Sequence, residues 1–486
     1  MSHHDHDPIH NTSNNPHFQD VLSQSLQNPM RRGLLRGGLG LAGLAMLPGC
    51  ATLTSGMAAA PRALGFPSVE KSLLDNVMLP PGYQYSVLHA TGDALDSALA
   101  AYSNKGTEAD DWSRRVGDHH DGMDIYYIDA NGRYSENETG RAVLCVNHES
   151  SADAHFMHPN GQTSNGVSGK KFDQFGSWDA LARPGDQVLK EINLHGVSIV
   201  EVTLDANGKP TGYNASSSLN RHITPQTLMN VTGPAAHLAD LKAMMVTKFD
   251  TTGSTVRGTL NNCGHGATPW GTYLTCEENI NGYFVKKGKA SKEEQRIGIN
   301  AKGFGYRWEE FDERFNTDLT PNEPNRFGWV VEIDPRDPDQ APIKRTALGR
   351  FKHEGAQVTL AKDGRVVVYM GDDQRGEYVY RYVSKFPYKP NQPEHNRTLL
   401  DEGTLFVAQF SDSGEGRWIS LVHGQNGLTK ENGFPDQAYV LIEARLAADY
   451  LKATSLDRPE WVAVHPKTND VYLALTNNNQ RGKEFP

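Results

Sequence analysis

Short runs of apolar residues, each closed by a cluster of turn-forming residues, dominate the pattern along this chain. Most runs are about five to eight residues long and rich in β-branched and aromatic side chains, which is typical of strands. We predict strands at residues 142–147, 197–204, 272–276, 328–333, 365–370, 378–383, 405–410, 461–464 and 471–475. Helical periodicity does not persist for long, and the best helix candidates are residues 238–248 and 444–451.

Turn sequences connect several of these runs, for example at residues 205–208 and 361–364. Similar strand–turn–strand units recur about every 40–60 residues, which is the cadence of a β-propeller. We therefore predict an all-β fold, a β-propeller with long inserted loops and a few short helices. A β-sandwich is the alternative. Residues 103–118, 155–186 and 291–324 are predicted to be long excursions from the sheets, and such loops often cover functional sites.

Composition agrees with many short strands joined by turns. The 486 residues include 47 glycines and 26 prolines, and only 37% are hydrophobic. The formal net charge of -10 argues against nucleic acid as a partner. The same acidity suits a protein that binds cations, although it also suits one that is merely kept soluble.

Residues 1–60 are interpreted as a targeting segment rather than as part of the fold. Two arginines at 31–32 precede a modestly apolar run at 37–47, which is typical of twin-arginine (Tat) export; an ordinary secretion signal is the alternative. The run is too short to span a bilayer, so we predict no stable membrane span. Cys50 follows a lipobox-like sequence and offers a lipid anchor, whereas the small residues at 58–60 offer a cleavage site. We favour soluble release into the periplasm or the extracellular space, with the Tat translocase as partner during export.

Three cysteines remain after the targeting segment, namely Cys145, Cys263 and Cys276. An odd number in an oxidising compartment leaves at least one of them unpaired. Cys263 and Cys276 are candidates for a disulfide. The competing interpretation is that Cys263 is a thiolate that binds a metal ion.

Acidic residues stand repeatedly at the ends of the predicted strands. They are Asp121, Glu149, Glu277, Glu278, Glu354, Asp372, Asp373 and Glu460. In a propeller, strand ends from different sheets converge, and so many carboxylates in one cavity repel one another unless cations are bound. Oxygen ligands favour Ca²⁺, Mg²⁺ or Fe³⁺, and a thiolate at Cys263 among them indicates a transition metal. Arg458 is a candidate clamp for phosphate oxygens, although each of these motifs alone also fits a turn or a local ion pair.

Several sequence blocks together resemble the PhoX family of secreted alkaline phosphatases. The matching blocks, besides the twin arginines, are NHE at 147–149, HGVSIVEV at 195–202, NNCGHGATPWGTYLTCEEN at 261–279, GRFKHEGA at 349–356, GDD at 371–373, RPEWVAVHP at 458–466 and LTNN at 475–478. The resemblance covers about residues 65–481, and the 261–279 and RPEW blocks are its most specific parts.

The resemblance implies a β-propeller phosphatase that hydrolyses phosphomonoesters and contains an oxo-bridged pair of Fe³⁺ ions and two or three Ca²⁺ ions. It implies iron ligands at Cys263, Glu354 and Glu460, and a phosphate contact at Arg458. The remaining candidate ligands are Glu149, Glu277, Glu278, Asp372, Asp373 and Asp121.

Two features depart from the family pattern. His265 lies in the loop after Cys263, where a glycine is expected, and it is placed to alter access to the site. The chain also ends soon after the LTNN block, where family members continue. We therefore expect a monomeric propeller domain at 61–486 that lacks its last strands.

Two other functions stay open at the level of sequence. One is a non-catalytic calcium-binding propeller that binds a surface ligand. The other is a lactonase-type propeller hydrolase, which needs only one metal ion.

Overall fold

The computed structural model describes residues 66–485, except residues 75, 104–105, 107, 136–139, 152–184 and 238–241. The predicted export segment with Cys50, and most of the excursion at 155–186, lie outside the described residues. The chain divides into two units, Asp5–Ser86 and a larger unit from Val87 onwards. In the first unit, the Phe66 and Tyr83 rings meet edge to face at 5.1 Å.

The described residues of the larger unit form four sheets, which we call sheets A to D. Sheet A consists of β1 (His120–Ile128), β2 (Tyr134–Ser135), β3 (Arg141–His148), β4 (Gly196–Leu204), β5 (Pro210–Tyr213) and β6 (Arg221–Ile223). Its order is β2-β1-β3-β4-β5, with β6 also paired to β4. Sheet B consists of β7 (Leu228–Thr232), β8 (Thr255–Arg257), β9 (Asn262–Ala267), β10 (Tyr273–Glu277), β11 (Val330–Ile333) and β12 (Ile343–Arg345), in the order β8-β7-β12-β11-β10-β9.

Sheets C and D follow in sequence. Sheet C is the meander β13 (Gln357–Leu360), β14 (Arg365–Gly371), β15 (Val379–Pro387), β16 (Gly403–Phe410) and β17 (Gly416–Ser420). Sheet D pairs β18 (Pro459–Val464) with β19 (Val471–Leu475). The described helices are short: α1 (Gly185–Ile192), α2 (Pro234–His237), α3 (Lys242–Met245), α4 (Lys292–Ile297), α5 (Pro393–Asn396), α6 (Gln437–Ile442) and α7 (Ala444–Tyr450).

The predicted sheet-rich class is confirmed, and every predicted strand overlaps an observed one. The helix expected at 444–451 corresponds to α7, and of the helix expected at 238–248 the described part contains α3. A closed ring of sheets is not established by the described residues. None of the described helices is long and apolar enough to cross a membrane.

Sheet B lies between two hydrophobic cores because its strands alternate their side chains. Tyr273 and Val331 join a core shared with sheet A, whereas Leu274, Cys276 and Val330 join a core shared with sheet C. This is the period-two pattern of a strand that is buried on both faces. The arrangement rigidly positions the β9–β10 hairpin, which carries the most specific sequence block.

Strand β9 also approaches its neighbours unusually closely. It packs against β1 and β3 of sheet A and against β13 of sheet C. A Cβ atom on Gly264 would lie 1.6 Å from the carbonyl oxygen of Glu354, and one on Gly266 would lie 1.9 Å from that of Ala356. These glycines therefore permit close backbone approach.

The disulfide alternative is wrong. Cys145, Cys263 and Cys276 are all buried and unpaired. Cys276 contributes to the core between sheets B and C, which leaves Cys263 free for other chemistry.

Gly264→Ala should destabilise the protein strongly, because its Cβ would lie 1.6 Å from backbone that cannot retreat from a packed hairpin. We expect the free energy of unfolding, measured by urea denaturation, to fall by about 3 kcal/mol or more. Gly355→Ala is the matched control, since its nearest neighbour would lie at 3.9 Å, and it should stay within about 1 kcal/mol of the parent. Equal stability of the two variants would contradict the close approach.

Candidate metal centre

Two strands from different sheets bring a thiol and a carboxyl group together. Cys263 lies in β9, and Asp121 lies where the β1–β3 register shifts between His120 and Met123. The Cys263 Sγ atom is 2.9 Å from Asp121 Oδ2 and 3.3 Å from Glu354 Oε1. Burial, followed by the nearby carboxylates, raises the pKa of Cys263 well above its usual range. In this environment the thiolate needs a cation to be stable.

A buried acidic cluster surrounds Cys263. Ligand atoms of Glu278, Glu354 and Asp373 lie within 4.8 Å of one another, and those of Glu149, Cys263 and Glu278 form a second group of the same size. Glu278 belongs to both groups. Each group therefore offers three donor atoms at a spacing that suits a metal ion.

Backbone pairing explains how Glu354 and Asp373 meet although they are distant in sequence. His353 and Asp372 form an isolated antiparallel bridge. On either side of it, the Glu354 amide donates to the carbonyl of Gly371 at 3.2 Å, and the Asp373 amide donates to that of Lys352 at 3.1 Å. The segment before β13 is thus held beside the end of β14, which brings both carboxylates to the same place.

The charge in this cluster is unbalanced. Burial, and then the charges of Asp373 and Glu149, raise the pKa of Glu278 well above its usual range. Burial, and then Glu278 and Asp373, do the same to the pKa of Glu354. Burial also raises the pKa of Asp121. Carboxylates that disfavour each other's ionised form in this way are stabilised by bound cations, so the donor set fits metal ions.

Arg458 lies at the edge of the cluster, and its backbone has a positive φ of 50°. Its Nε and Nη2 atoms donate to the two carboxylate oxygens of Asp373 at 2.9 and 2.7 Å. Nη2 is also 3.2 Å from Glu460, whose pKa is raised by burial and then by Asp373. The guanidinium is therefore oriented by carboxylates while its side chain remains 22% exposed.

Two predicted ligands lie outside both donor groups, and each is engaged in a buried ion pair. Glu277 accepts from Lys344 Nζ at 2.7 Å and from the backbone amides of Gly328 and Trp329 at 2.9 and 3.0 Å. Both carboxylate oxygens of Asp372 accept hydrogen bonds from the guanidinium of Arg445. Each therefore stabilises the scaffold, whereas its neighbour in sequence, Glu278 or Asp373, faces the cluster.

Sequence reasoning missed the polar residues that orient the cluster. Lys352 Nζ donates to Asn279 Oδ1 at 3.0 Å, and the Asn279 amide donates to Glu278. Burial, and then Arg445, lower the pKa of Lys352 to about 8. The sequence could have indicated them, because Lys352 lies in the 349–356 block with Glu354, and Asn279 lies in the 261–279 block with Glu278.

Asn261 is a third missed residue. It has a left-handed backbone with φ 49°. Its side-chain amide donates to the carbonyl of Glu149 and to Tyr283 Oη, both at 3.1 Å, and its side-chain oxygen accepts from the backbone N–H of Asn279 at 2.6 Å. One residue thereby ties the chain at Glu149 to the chain beside Glu278.

The histidines near these blocks have structural contacts. His148 is 2.9 Å from Ser198 Oγ, and His353 is 2.9 Å from the carbonyl of Gly349. His265, the departure from the family pattern, stacks on Tyr273 with a ring separation of 5.6 Å and meets Trp461 edge to face at 5.3 Å.

Comparison with known proteins adds independent findings. The sequence profile of the family described as alkaline phosphatase PhoX matches residues 64–485. A solved structure of Pseudomonas fluorescens PhoX in complex with vanadate, a transition state analogue, is similar, with a TM-score of 0.77 and 40% sequence identity. The similarity covers 87% of this chain and 69% of that chain. A comparison with curated proteins finds no significant match.

Glu277→Gln and Glu278→Gln should have opposite effects on the stability of the metal-free protein. The first leaves Lys344 buried without its carboxylate partner, and we expect the free energy of unfolding to fall by about 3 kcal/mol. The second removes one of three mutually repelling carboxylates, and we expect a rise of about 1 kcal/mol.

Metal content provides the second measurement for this pair. Glu277→Gln protein that remains folded should bind metal in the parental amount, whereas Glu278→Gln should lose metal as measured by elemental analysis. Loss of metal from Glu277→Gln without loss of stability would contradict the assignment of Glu277 to the scaffold.

Proposed function

Because this chain belongs to the PhoX family of alkaline phosphatases, we propose that its acidic cluster is the centre at which phosphomonoesters are hydrolysed to release inorganic phosphate. The chain is a phosphomonoester hydrolase by family membership. The observation that carries the location is the pair of donor groups that share Glu278. Arg458 lies beside them.

The proposed metal ions are two Fe³⁺ ions and two or three Ca²⁺ ions. Cys263 would supply a soft thiolate, which favours a transition metal. Together with Glu354 and Glu460 it makes up the proposed set of iron ligands. Glu149, Glu278, Asp373 and Asp121 supply oxygen atoms of the kind that Ca²⁺ and Fe³⁺ both accept. When bound, these ions would supply positive charge that stabilises the oxygens of the phosphoryl group.

The chain's own residues position the substrate. Arg458 presents a planar guanidinium that suits two phosphate oxygens, and its ion pair with Asp373 fixes the direction of that plane. Asn279 orients Glu278 by donating a hydrogen bond to its carboxylate, and Lys352 in turn orients Asn279. We propose that the phosphate of the substrate lies between Arg458 and the metal ions that the acidic cluster would hold, so that positive charge faces it on both sides.

We further propose the architecture and the location of the protein. Residues 61–486 form a β-propeller phosphatase domain, in which sheets A to D are successive blades, and residues 1–60 direct Tat export. Support comes from the order of the sheets and from the contacts of β9 and β18 with β13. The protein then acts as a monomer in the periplasm or outside the cell, released in soluble form rather than anchored through Cys50.

Metal analysis and activity test the proposed centre together. The purified protein should contain iron and calcium and should hydrolyse a chromogenic phosphomonoester, and a calcium chelator should abolish turnover.

Cys263→Ala should remove iron and lower kcat by at least about a hundredfold, since a ligand is lost. Cys276→Ala, in the same hairpin but in the core, should keep its iron. An unchanged iron content in Cys263→Ala would refute the thiolate ligand, and calcium without iron or turnover would support a binding protein instead.

Arg458→Lys tests the substrate clamp. The charge is kept, but the fork that contacts two oxygens is lost, so kcat/KM should fall by about tenfold to a hundredfold. Metal content should not change. Arg481→Lys is the control, because Arg481 pairs with Asp457 instead of with the cluster, and its kcat/KM should match the parent. Parental kcat/KM in Arg458→Lys would contradict the proposed contact with phosphate.

A further inference from the structure

A cavity opens at the turn of the β9–β10 hairpin, the hairpin that carries Cys263. It has a volume of about 790 Å³ and lies between the β9–β10 turn and residues 388–397. We call it the Trp270 cleft. Thr272 directly precedes β10 and Glu277 is its last residue, which places their Cα atoms about 16 Å apart at the usual rise per residue, so the cleft is separate from the acidic cluster. Its volume is within the range of small-molecule sites.

An oriented aromatic pair forms one wall of the cleft. The rings of Trp270 and Tyr388 are 6.2 Å apart and inclined by 30°. The indole N–H donates to Glu332 at 2.8 Å, and Tyr388 Oη donates to the carbonyl of Pro269 at 3.1 Å. Both side chains are half-buried. The two rings are therefore held in place while part of their surface faces the cleft, which suits a ligand that carries a ring.

The lining of the cleft is rich in arginine. It contains Arg133, Arg336, Arg345 and Arg397, with the acids Glu332 and Asp334 in the lining and Asp401 and Glu394 beside it. Guanidinium groups gathered in one cavity are donors that suit an anion.

The arginines divide into a fixed floor and an exposed rim. Arg345 is buried and held by Glu332 and Asp401, and Arg336 is held by Asp334. Arg133 is exposed, and Arg397 makes only an exposed pair with Glu394 at 3.3 Å. An exposed pair of this kind contributes little, so the Arg397 guanidinium can exchange its partner for a ligand.

We propose that the Trp270 cleft binds a small anion that carries a ring, with the ring on Trp270 and Tyr388 and the negative group at Arg133 and Arg397. This chemistry is shared by nucleotides and acidic sugars. The site is non-catalytic and does not depend on the proposed function of the acidic cluster.

The test is calorimetric titration of the metal-loaded enzyme. The probes are 3′,5′-cyclic adenosine monophosphate, a phosphodiester, and glucuronate, with adenosine and glucose as their uncharged counterparts. We expect at least one anion to bind at one site per chain, about tenfold or more tightly than its uncharged counterpart. The anion that binds identifies the source of the ligand.

Two variants assign the binding to the cleft. Arg133→Gln, at an exposed position that should not affect folding, and Trp270→Leu should each weaken binding by about tenfold or more. The matched controls on β17, Arg417→Gln and Trp418→Leu, should bind as the parent does. Phosphatase activity should be parental in all four variants. The proposal is overturned if neither anion binds, if the uncharged counterparts bind equally well, or if the cleft variants bind like the controls.

Discussion

Repulsion among buried carboxylates is the constraint on which the rest of this structure depends. Glu278, Glu354 and Asp373 come from three separate points of the chain and are held within 4.8 Å of one another away from water. Such an arrangement is unfavourable without cations, and it persists only because the surrounding scaffold leaves the carboxylates no alternative position. The scaffold is therefore built to resist the separation of its own functional groups.

Hydrogen bonds between sheets provide much of that resistance. The Asn147 amide donates to the carbonyls of Cys263 and Gly264 at 2.6 and 2.9 Å, and its oxygen accepts from Tyr273 and Thr275, both at 2.8 Å. All of these partners are buried, so the bonds connect sheet A to the β9–β10 hairpin in a region of low dielectric constant. Gly264 and Gly266 close the other side by admitting the backbone of residues 354–356.

The sequence predicts the strands and the members of the acidic cluster well, because both depend on local patterns. Apolar runs with turn-forming ends identify β3, β4, β10 and β14, and acids at their ends identify Glu149, Glu278 and Asp373. The sequence does not separate Glu277 from Glu278, or Asp372 from Asp373. That distinction depends on Lys344 and Arg445, which lie 67 and 73 residues away along the chain. Asn261 and Lys352 escape notice because their role lies in hydrogen bonds that only the folded chain reveals.

The membership of Glu278 in both donor groups has a thermodynamic consequence. Occupation of one group changes the charge and the orientation of a carboxylate that the other group also uses. The two binding equilibria are therefore linked, and each ion alters the affinity for the other by the same factor. Assembly of the centre would then pass through partially loaded species whose affinities differ from those of the empty centre.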